Sequence, residues 1–278
     1  MSVIESITNT TESLTPNERR LVKAVMDSPT HAALGTASDL AKATGVHEAT
    51  ASRLARKLGY ASYAAFRDAL RDEFIATRET ATRFEKTIAE TSSDTILGSL
   101  VQEEMQALGR MESYLSADQI NAVATRLMAA RRIFVYGTGN AEILALLMLK
   151  RFRRFGKDVH KLDPDSRSLA EQAVGMSEGD VVLTFVFRRA PKGYAPLIET
   201  ARDSGATNIV ISGITGTTLS PRPDLSLAAP RSGHPDAFQT LTVPMAICNA
   251  VVIAAGLTAK EESLQKLEKL GQLIERFD

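Results

Sequence analysis

The stretch ASDLAKATGVHEATASRLARK, residues 37–57, has the spacing of two short helices joined by a tight turn. In the first helix Leu40 is apolar, and Ala41 is small enough to let a second helix cross close by. Gly45 stands where the chain must reverse, and glycine adopts a positive φ without a Cβ clash. Three apolar residues at helical spacing predict the inner face of the second helix: Ala51, Leu54 and Leu58.

The outward side of the predicted second helix is polar and carries basic residues. This arrangement is typical of a helix-turn-helix, whose second helix lies in the DNA major groove with its first residues at the base edges. A plain αα-hairpin with a glycine turn is the alternative interpretation of the same stretch. The residues predicted to contact DNA are His47, Glu48, Ala49, Thr50, Ser52, Arg53, Arg56 and Lys57.

The residues that follow carry a resemblance to a known family. Residues 46–60 read VHEATASRLARKLGY, which resembles the phrase V-S-x-A-T-x-x-R-x-x-[RK]-K-L-G-[FY] of the RpiR family of bacterial transcriptional regulators. His47 departs from the family's usual serine, which is the better helix N-cap. We expect this departure to affect operator preference more than the fold. The resemblance implies an all-α helix-turn-helix DNA-binding domain, which we predict over residues 1–80.

Composition is that of a globular chain long enough for two domains. The 278 residues are 44% hydrophobic and 24% charged. The net charge is zero, so any attraction to DNA must come from a local patch. Residues 48–57 carry a local charge of +2, which a dimer would double.

Cysteine and histidine usage exclude several kinds of site. The single cysteine, Cys248, rules out an internal disulfide and a thiolate zinc site. The four histidines lack ligand spacing, so we predict no metal and no cofactor. The N-terminus lacks the features of a signal peptide, and the longest apolar run, residues 243–257, falls short of a membrane span. We therefore predict a cytoplasmic protein without membrane contact.

The segments on either side of this motif are predicted to be helical. Thr15, Pro16 and Glu18 have the order of an N-cap, a first-turn proline and a capping box. A further helix is predicted from Ser62 to about Thr77. Residues 81–130 are predicted as a helical connector, with one amphipathic helix over 96–115 and another over 119–130. The connector would either contact a second copy or pack on the second domain, and both readings stay open.

From Arg132 onward, short strands alternate with helices, which predicts a parallel sheet with crossover helices. The predicted strands are 133–136, 158–161, 181–187, 208–211 and 225–228. The predicted helices are 141–155, 168–174, 196–204, 241–256 and 260–277. This pattern predicts an α/β domain over residues 131–278.

Ligands of such sheets bind beyond the carboxyl ends of the strands. The first such end is YGTGN, residues 136–140, where glycines allow a close approach and a helix N-terminus favours an anion. A third glycine of a dinucleotide fingerprint is missing. SGITG, residues 212–216, lacks the lysine of a P-loop, so nucleotide hydrolysis is not predicted.

The second half of the chain resembles a SIS (sugar isomerase) domain, the ligand-sensing part of RpiR-type regulators. The resemblance rests on residues 131–160, 179–187, 201–212 and 220–227. With the N-terminal match it covers nearly the whole chain, and it implies a doubly wound, five-stranded parallel sheet that binds a phosphosugar. The family typically uses a Gly-x-Gly-x-Ser loop after the first strand and a Ser-x-Ser-Gly-x-Thr loop after the third.

Both loops are altered in this chain. We read the first as ending in Asn140 in place of serine, and the second, FVFRRAPK over residues 185–192, contains no serine or threonine. Arginine binds carboxylate or phosphate bidentately, so the arginines would hold an anion in a different way. Alternatively, they pair with local acids or face solvent. The residues predicted to bind the ligand are Gly137, Thr138, Gly139, Asn140, Phe187, Arg188, Arg189 and His234.

The resemblance implies a ligand-responsive transcriptional regulator without enzyme activity. As a homodimer or tetramer it would bind double-stranded operator DNA. The SIS-like domain would sense a small anionic metabolite, either a sugar phosphate, a sugar acid or a carboxylate. Two alternatives remain. The SIS-like domain would serve only for dimerisation, or the chain would be a sugar-phosphate isomerase with Glu142 or His234 as its general base.

Overall fold

The computed structural model describes residues 3–10, 13–28, 32–33, 35–71, 76–91, 93–187, 190–213, 219–233 and 238–277. Contacts divide the chain into two compact units. The first is Met1–Ser92 with 236–238, and the second is Ser93–Pro235 with Gln239–Asp278. The residues predicted as a connector are therefore shared between the two units.

The first unit is all-helical in its described part. Its helices are α1 (Val3–Thr10), α2 (Pro16–Asp27), α3 (Ala37–Thr44), α4 (Glu48–Lys57), α5 (Tyr63–Leu70) and α6 (Ala76–Glu90). Helices α1 to α5 enclose a core that includes Leu21, Val25, Leu54, Phe66 and Leu70. The predicted helix-turn-helix is confirmed as α3 and α4, whereas α1 was not predicted.

Local signals account for two of these helix ends. The hydroxyl of Thr15 accepts a hydrogen bond from the Glu18 amide, and the Glu18 carboxylate accepts one from the Thr15 amide, which confirms the predicted capping box. Gly45 ends α3 with a φ of +68°. This left-handed conformation is the one that only glycine adopts without strain, and it turns the chain toward α4.

The second unit is an α/β domain preceded by two helices. Its helices are α7 (Ile96–Gly109), α8 (Ala117–Ala129), α9 (Ala141–Arg154), α10 (Ser166–Ala173), α11 (Tyr194–Asp203), α12 (Thr242–Thr258) and α13 (Lys260–Phe277). Its strands are β1 (Ile133–Tyr136), β2 (Val159–Lys161), β3 (Val181–Val186), β4 (Thr207–Ser212) and β5 (Leu225–Ala228). The short 3₁₀ turns Ser93–Thr95 and Met111–Ser113 flank α7.

The five strands form one parallel sheet in the order β2-β1-β3-β4-β5. Alternate residues of each central strand point to opposite faces. On one face Val135, Leu183 and Ile211 pack against α8, α9 and α12. On the other face Phe134 and Val182 pack against α10 and α11. The predicted doubly wound, five-stranded sheet is confirmed.

Some predicted boundaries differ from those observed, for identifiable reasons. The helix predicted over 96–115 ends at Gly109, and a separate 3₁₀ turn follows it. Helix α10 begins two residues before its prediction because Asp165 acts as its N-cap, accepting hydrogen bonds from the amides of Arg167 and Ser168. The backbone bond from Ser168 contributes most to lowering the pKa of the Asp165 carboxyl.

Among the described helices, none is by itself long and apolar enough to cross a bilayer. Helices α12 and α13 meet that test only as a pair, and the chain bends by 106° between them.

A buried carboxylate joins the starts of β1 and β3. Asp180 has a side chain that is 0% exposed, and it lies 2.8 Å from the guanidinium groups of both Arg131 and Arg132. The Ser177 amide donates a further bond to it at 3.0 Å. Burial alone would raise the pKa of Asp180, but the bonds from Arg132, Ser177 and Arg131 outweigh burial and lower it.

We expect Asp180→Asn to lower the free energy of unfolding by about 2 kcal/mol at pH 7, because charged hydrogen bonds contribute about 1.5–3 kcal/mol. Since the folded-state pKa of Asp180 is lowered, the wild-type advantage is fully present above the unfolded pKa of about 3.9. It is lost as pH falls through the lower folded pKa. Urea unfolding of both proteins from pH 7 to pH 3 measures this, and a difference that persists unchanged at low pH contradicts it.

Candidate functional site

The N-terminus of α4 presents most of the residues predicted to contact DNA. His47 is the N-cap of α4, and its Nδ1 accepts a hydrogen bond from the Ala49 amide at 3.2 Å. His47 therefore caps α4, although histidine is a weak N-cap residue. The Arg53 guanidinium donates to the Thr50 hydroxyl at 3.3 Å, which holds it along the helix. The exposed members of the set are His47, Glu48, Ala49, Arg53, Arg56 and Lys57, whereas Thr50 and Ser52 are half-buried.

Lys57 differs from the others because its ammonium group is engaged within the fold. Its Nζ lies 2.9 Å from the Glu18 carboxylate and donates to the Ser13 carbonyl at 2.6 Å. Burial would raise the pKa of Glu18, but bonds from the Thr15 amide and from Lys57 outweigh burial and lower it. Lys57 thus fastens the end of α4 to the beginning of α2.

The loops predicted to bind a ligand follow β1 and β3. These two strands are neighbours in the sheet, and the helices that follow them, α9 and α11, lie on opposite faces. This is the topological switch point where open α/β sheets bind ligands. A Cβ at Gly137 would lie 2.7 Å from the Ala141 carbonyl oxygen, so only glycine fits between β1 and α9.

The turn into α9 corrects one assignment made from the sequence. Counting Gly-x-Gly-x-Ser from Gly137 places the serine position at Ala141, and not at Asn140. Asn140 is the N-cap of α9, and its side chain makes no capping bond. The turn is closed by backbone bonds from Ala141 to Thr138 and from Glu142 to Gly139. A methyl group therefore replaces the hydroxyl of the family's loop.

The end of β3 is covered by the loop that follows β5. The guanidinium carbon of Arg231 lies 5.4 Å from the centre of the Phe187 ring, within the range of a cation–π contact. The Phe187 ring also lies beside Phe185, with 6.4 Å between the ring centres. Arg188, Arg189 and His234, which are predicted to bind the ligand, lie outside the described residues.

A polar cluster in the same loop was not singled out from the sequence. The Glu104 carboxylate on α7 accepts hydrogen bonds from the hydroxyls of Ser232 (2.7 Å) and Thr240 (2.5 Å). The Thr240 hydroxyl also accepts a hydrogen bond from the Thr242 amide at the start of α12, at 3.2 Å. Glu104 and Ser232 are 128 positions apart, so no local pattern could have indicated their contact.

Two of the remaining charged candidates, Glu142 and Arg153, have partners within the second unit. Glu142, the candidate base of the isomerase alternative, forms an ion pair with Lys161. In the basic cluster at the end of α9, Arg153 donates two bonds to the Val159 carbonyl, while Lys150, Arg151 and Arg154 are exposed. These contacts fit a solvated helix end beside the edge strand β2.

Comparison with known proteins agrees with this architecture. A family model described as the helix-turn-helix domain of the rpiR family matches residues 1–77, and a SIS-domain model matches residues 126–254. The HTH-type transcriptional regulator RpiR of Escherichia coli K12 is 22% identical over 269 residues, covering 96% of this chain and 90% of that protein. The regulator HexR of the same strain is 23% identical over 261 residues, covering 94% and 89%.

Two solved structures are similar in fold. One is the Vibrio vulnificus NanR protein complexed with ManNAc-6P, with a TM-score of 0.59, 19% identity, and coverage of 99% of this chain and 98% of that one. The other is the sugar isomerase domain of an RpiR transcription factor from Sphaerobacter thermophilus, with a TM-score of 0.58 and 14% identity. It covers 64% of this chain and 99% of its own.

A helix-turn-helix domain followed by a SIS domain defines a class of transcriptional regulators. The chain belongs to the RpiR family of that class.

Replacing Lys57 tests how much its contacts with Glu18 and Ser13 stabilise the fold. We expect Lys57→Met to lower the free energy of unfolding by about 1–2 kcal/mol, because it leaves the nearly buried Glu18 carboxylate without its cation. The matched variant Arg56→Met changes an exposed residue one position earlier, and we expect a shift within about 0.5 kcal/mol. Equal urea-unfolding midpoints for the two variants would contradict this assignment.

Gly137→Ala tests the close contact between β1 and α9. The added Cβ meets backbone, which cannot rotate away, so we expect a loss of about 1–3 kcal/mol in thermal unfolding. Gly98→Ala is the control, since a Cβ at Gly98 meets nothing within 4 Å. Within helix α7 that change should be neutral or stabilise the protein by up to about 1 kcal/mol. Two variants of equal stability would contradict the steric argument.

Proposed function

We propose that the chain binds operator DNA as a homodimer and releases or tightens it when a small anionic metabolite binds to the SIS domain. Residues 1–80 would be the DNA-binding domain, 81–130 the connector and 131–278 the sensor. The observation that supports DNA binding is the exposure of His47, Glu48 and Arg53 along the outer face of the beginning and middle of α4. Two such helices would read half-sites about 34 Å, or a multiple of it, apart.

The chemistry of the two altered loops supports an anionic effector that is held by charge. Ala141 supplies no hydroxyl at the first loop, and residues 187–192 supply none at the second. The second loop instead contributes Arg188, Arg189 and Lys192, and Arg231 lies beside Phe187 at the same edge of the sheet. Guanidinium groups bind carboxylates and phosphates bidentately. We therefore favour a sugar acid, another carboxylate or a sugar phosphate.

Exposed apolar side chains of the second unit support self-association. Single exposed apolar residues are ordinary, but several on neighbouring helices favour an interface. Helices α7 and α13 both contact α12. Their exposed apolar residues include Leu97, Val101 and Met105 on α7, Ile253 and Leu257 on α12, and Leu264 and Ile274 on α13.

Operator binding and effector response can be measured together. We expect the wild type to bind a labelled fragment of its own upstream region, and Arg53→Ala to bind it at least 10-fold more weakly, since one lost base contact is worth about 1–3 kcal/mol.

A panel of sugar acids, carboxylates and sugar phosphates should contain a compound that raises the melting temperature and changes DNA affinity. At 100 times its Kd such a compound stabilises the folded state by about 2.7 kcal/mol.

The double variant Arg188→Ala/Arg189→Ala tests the charged loop. We expect it to bind DNA like the wild type and to lose the effector response. A response that survives in this variant contradicts the role of the arginines. Wild-type DNA binding with no response to any anion favours a SIS domain that serves only for dimerisation.

A further inference from the structure

Glu48 is the first residue of α4, and its side chain lies on the exposed surface of the first unit. On either side of it, His47 accepts a hydrogen bond from the Ala49 amide, and Arg53 donates one to the Thr50 hydroxyl. Neither bond involves the Glu48 carboxylate. Within the described part of the chain, no lysine, arginine or histidine forms an ion pair with Glu48. The carboxylate is therefore available to a molecule outside the fold.

The position of Glu48 in the helix-turn-helix decides which part of the DNA it would meet. The inner side of α4 is buried at Ala51, Leu54 and Ala55, which packs the helix against the core of the unit. In a helix-turn-helix the N-terminal residues of the second helix contact base edges in the major groove. As the first residue of α4, Glu48 belongs to that group. This step rests on the proposed DNA-binding function.

A negative charge in the major groove is unfavourable unless a hydrogen-bond donor meets it. The groove is bordered by phosphates, so a carboxylate between them weakens binding to DNA in general. Arginine, lysine and hydroxyl side chains can bind phosphate as well as bases. An ionised carboxylate only accepts hydrogen bonds, and a phosphate offers it no hydrogen. Glu48 can therefore gain affinity from DNA only through an amino group of a base.

Two of the four bases present an amino group in the major groove. Cytosine presents N4 as a donor, whereas adenine presents its N6 donor beside the N7 acceptor. Guanine presents two acceptors, and thymine presents an acceptor and a methyl group. Because both oxygens of the carboxylate are acceptors, the N7 lone pair of adenine opposes it. Cytosine is therefore the base that suits Glu48 best.

We propose that Glu48 is a specificity-determining residue that accepts a hydrogen bond from the N4 amino group of a cytosine in each operator half-site. Its charge lowers the affinity of the protein for DNA in general, and the contact with cytosine restores affinity at the operator. In a two-fold symmetric dimer, the cytosine occupies equivalent positions of the two half-sites. Glu48 thus increases the difference in affinity between the operator and other DNA.

The test is the selection of half-sites from a randomised DNA library by the full-length wild type and by variants of Glu48. We expect the wild type to prefer cytosine at one position of each half-site by at least about 5-fold. Glutamine has nearly the same length and pairs with N6 and N7 of adenine, so Glu48→Gln should shift that preference to adenine. Glu48→Ala should show no preference there. It should also bind unrelated DNA at least about 2-fold more tightly at low salt, because each subunit loses a negative charge.

Glu48→Asp is the matched control for a purely structural role. An acidic residue in the first turn also stabilises a helix through the helix dipole. Aspartate keeps that charge on a side chain that is one methylene group shorter. If Glu48 contacts a base, Glu48→Asp loses the preference for cytosine and keeps the melting temperature of the wild type. If Glu48 acts only on the helix, Glu48→Asp selects the wild-type operator.

Two results would overturn this inference and leave the regulator function intact. One is a wild-type operator without a preferred cytosine in its half-sites. The other is selection of one and the same operator by the wild type, Glu48→Gln and Glu48→Asp. Failure of the proposed function gives a different result, in which the wild type enriches no sequence and binds DNA no more tightly than Arg53→Ala does.

Discussion

The second unit depends on the fixed register between β1 and β3. Asp180 receives bonds from Arg131 and Arg132 at the start of β1, and the backbone ladder then pairs Ile133 with Val181 and Tyr136 with Thr184. Because parallel strands in register end side by side, the loop after β1 and the loop after β3 meet at the opposite edge. The polar groups that join the starts of the strands thus determine what can meet at their ends.

In the first unit, residues that are neighbours on α4 make different contacts. The sequence pattern predicts that Lys57 lies on the exposed face of α4. Its ammonium group instead forms an ion pair with Glu18 and donates a hydrogen bond to the Ser13 carbonyl, just before α2. His47 caps α4 through Nδ1, so its ring is partly committed to the backbone. Among the described residues, Glu48 and Arg53 remain exposed on the outer face of α4, as the proposed DNA contact requires.

Much of the fold could be predicted because its signals are local. The strands at Ile133–Tyr136 and Leu225–Ala228 and the last helix, Lys260–Phe277, have the predicted bounds, since each follows from its own hydrophobic pattern. The glycine turn and the capping box at Thr15 are also short-range signals.

The roles of Glu104, Arg231 and Lys57 could not be predicted, because each depends on a contact between segments distant in sequence. Asn140 was assigned to the serine position of the family's first loop, but counting from Gly137 places Ala141 there.

The altered loops change how a ligand can be held and what it must contain. A cradle of hydroxyls and backbone amides binds an anion through dipoles, and tolerates many molecules that share the same phosphate. Arginine forks bind through full charge and a planar geometry, which gives affinity for any carboxylate or phosphate but little selectivity. Selection must then come from the other end of the molecule. For ligand binding to act on DNA, the effector must also bind two arrangements of the protein with different affinity. Bonds from Ser232 and Thr240 to Glu104 join the segment before α12 to α7, and both helices carry exposed apolar side chains.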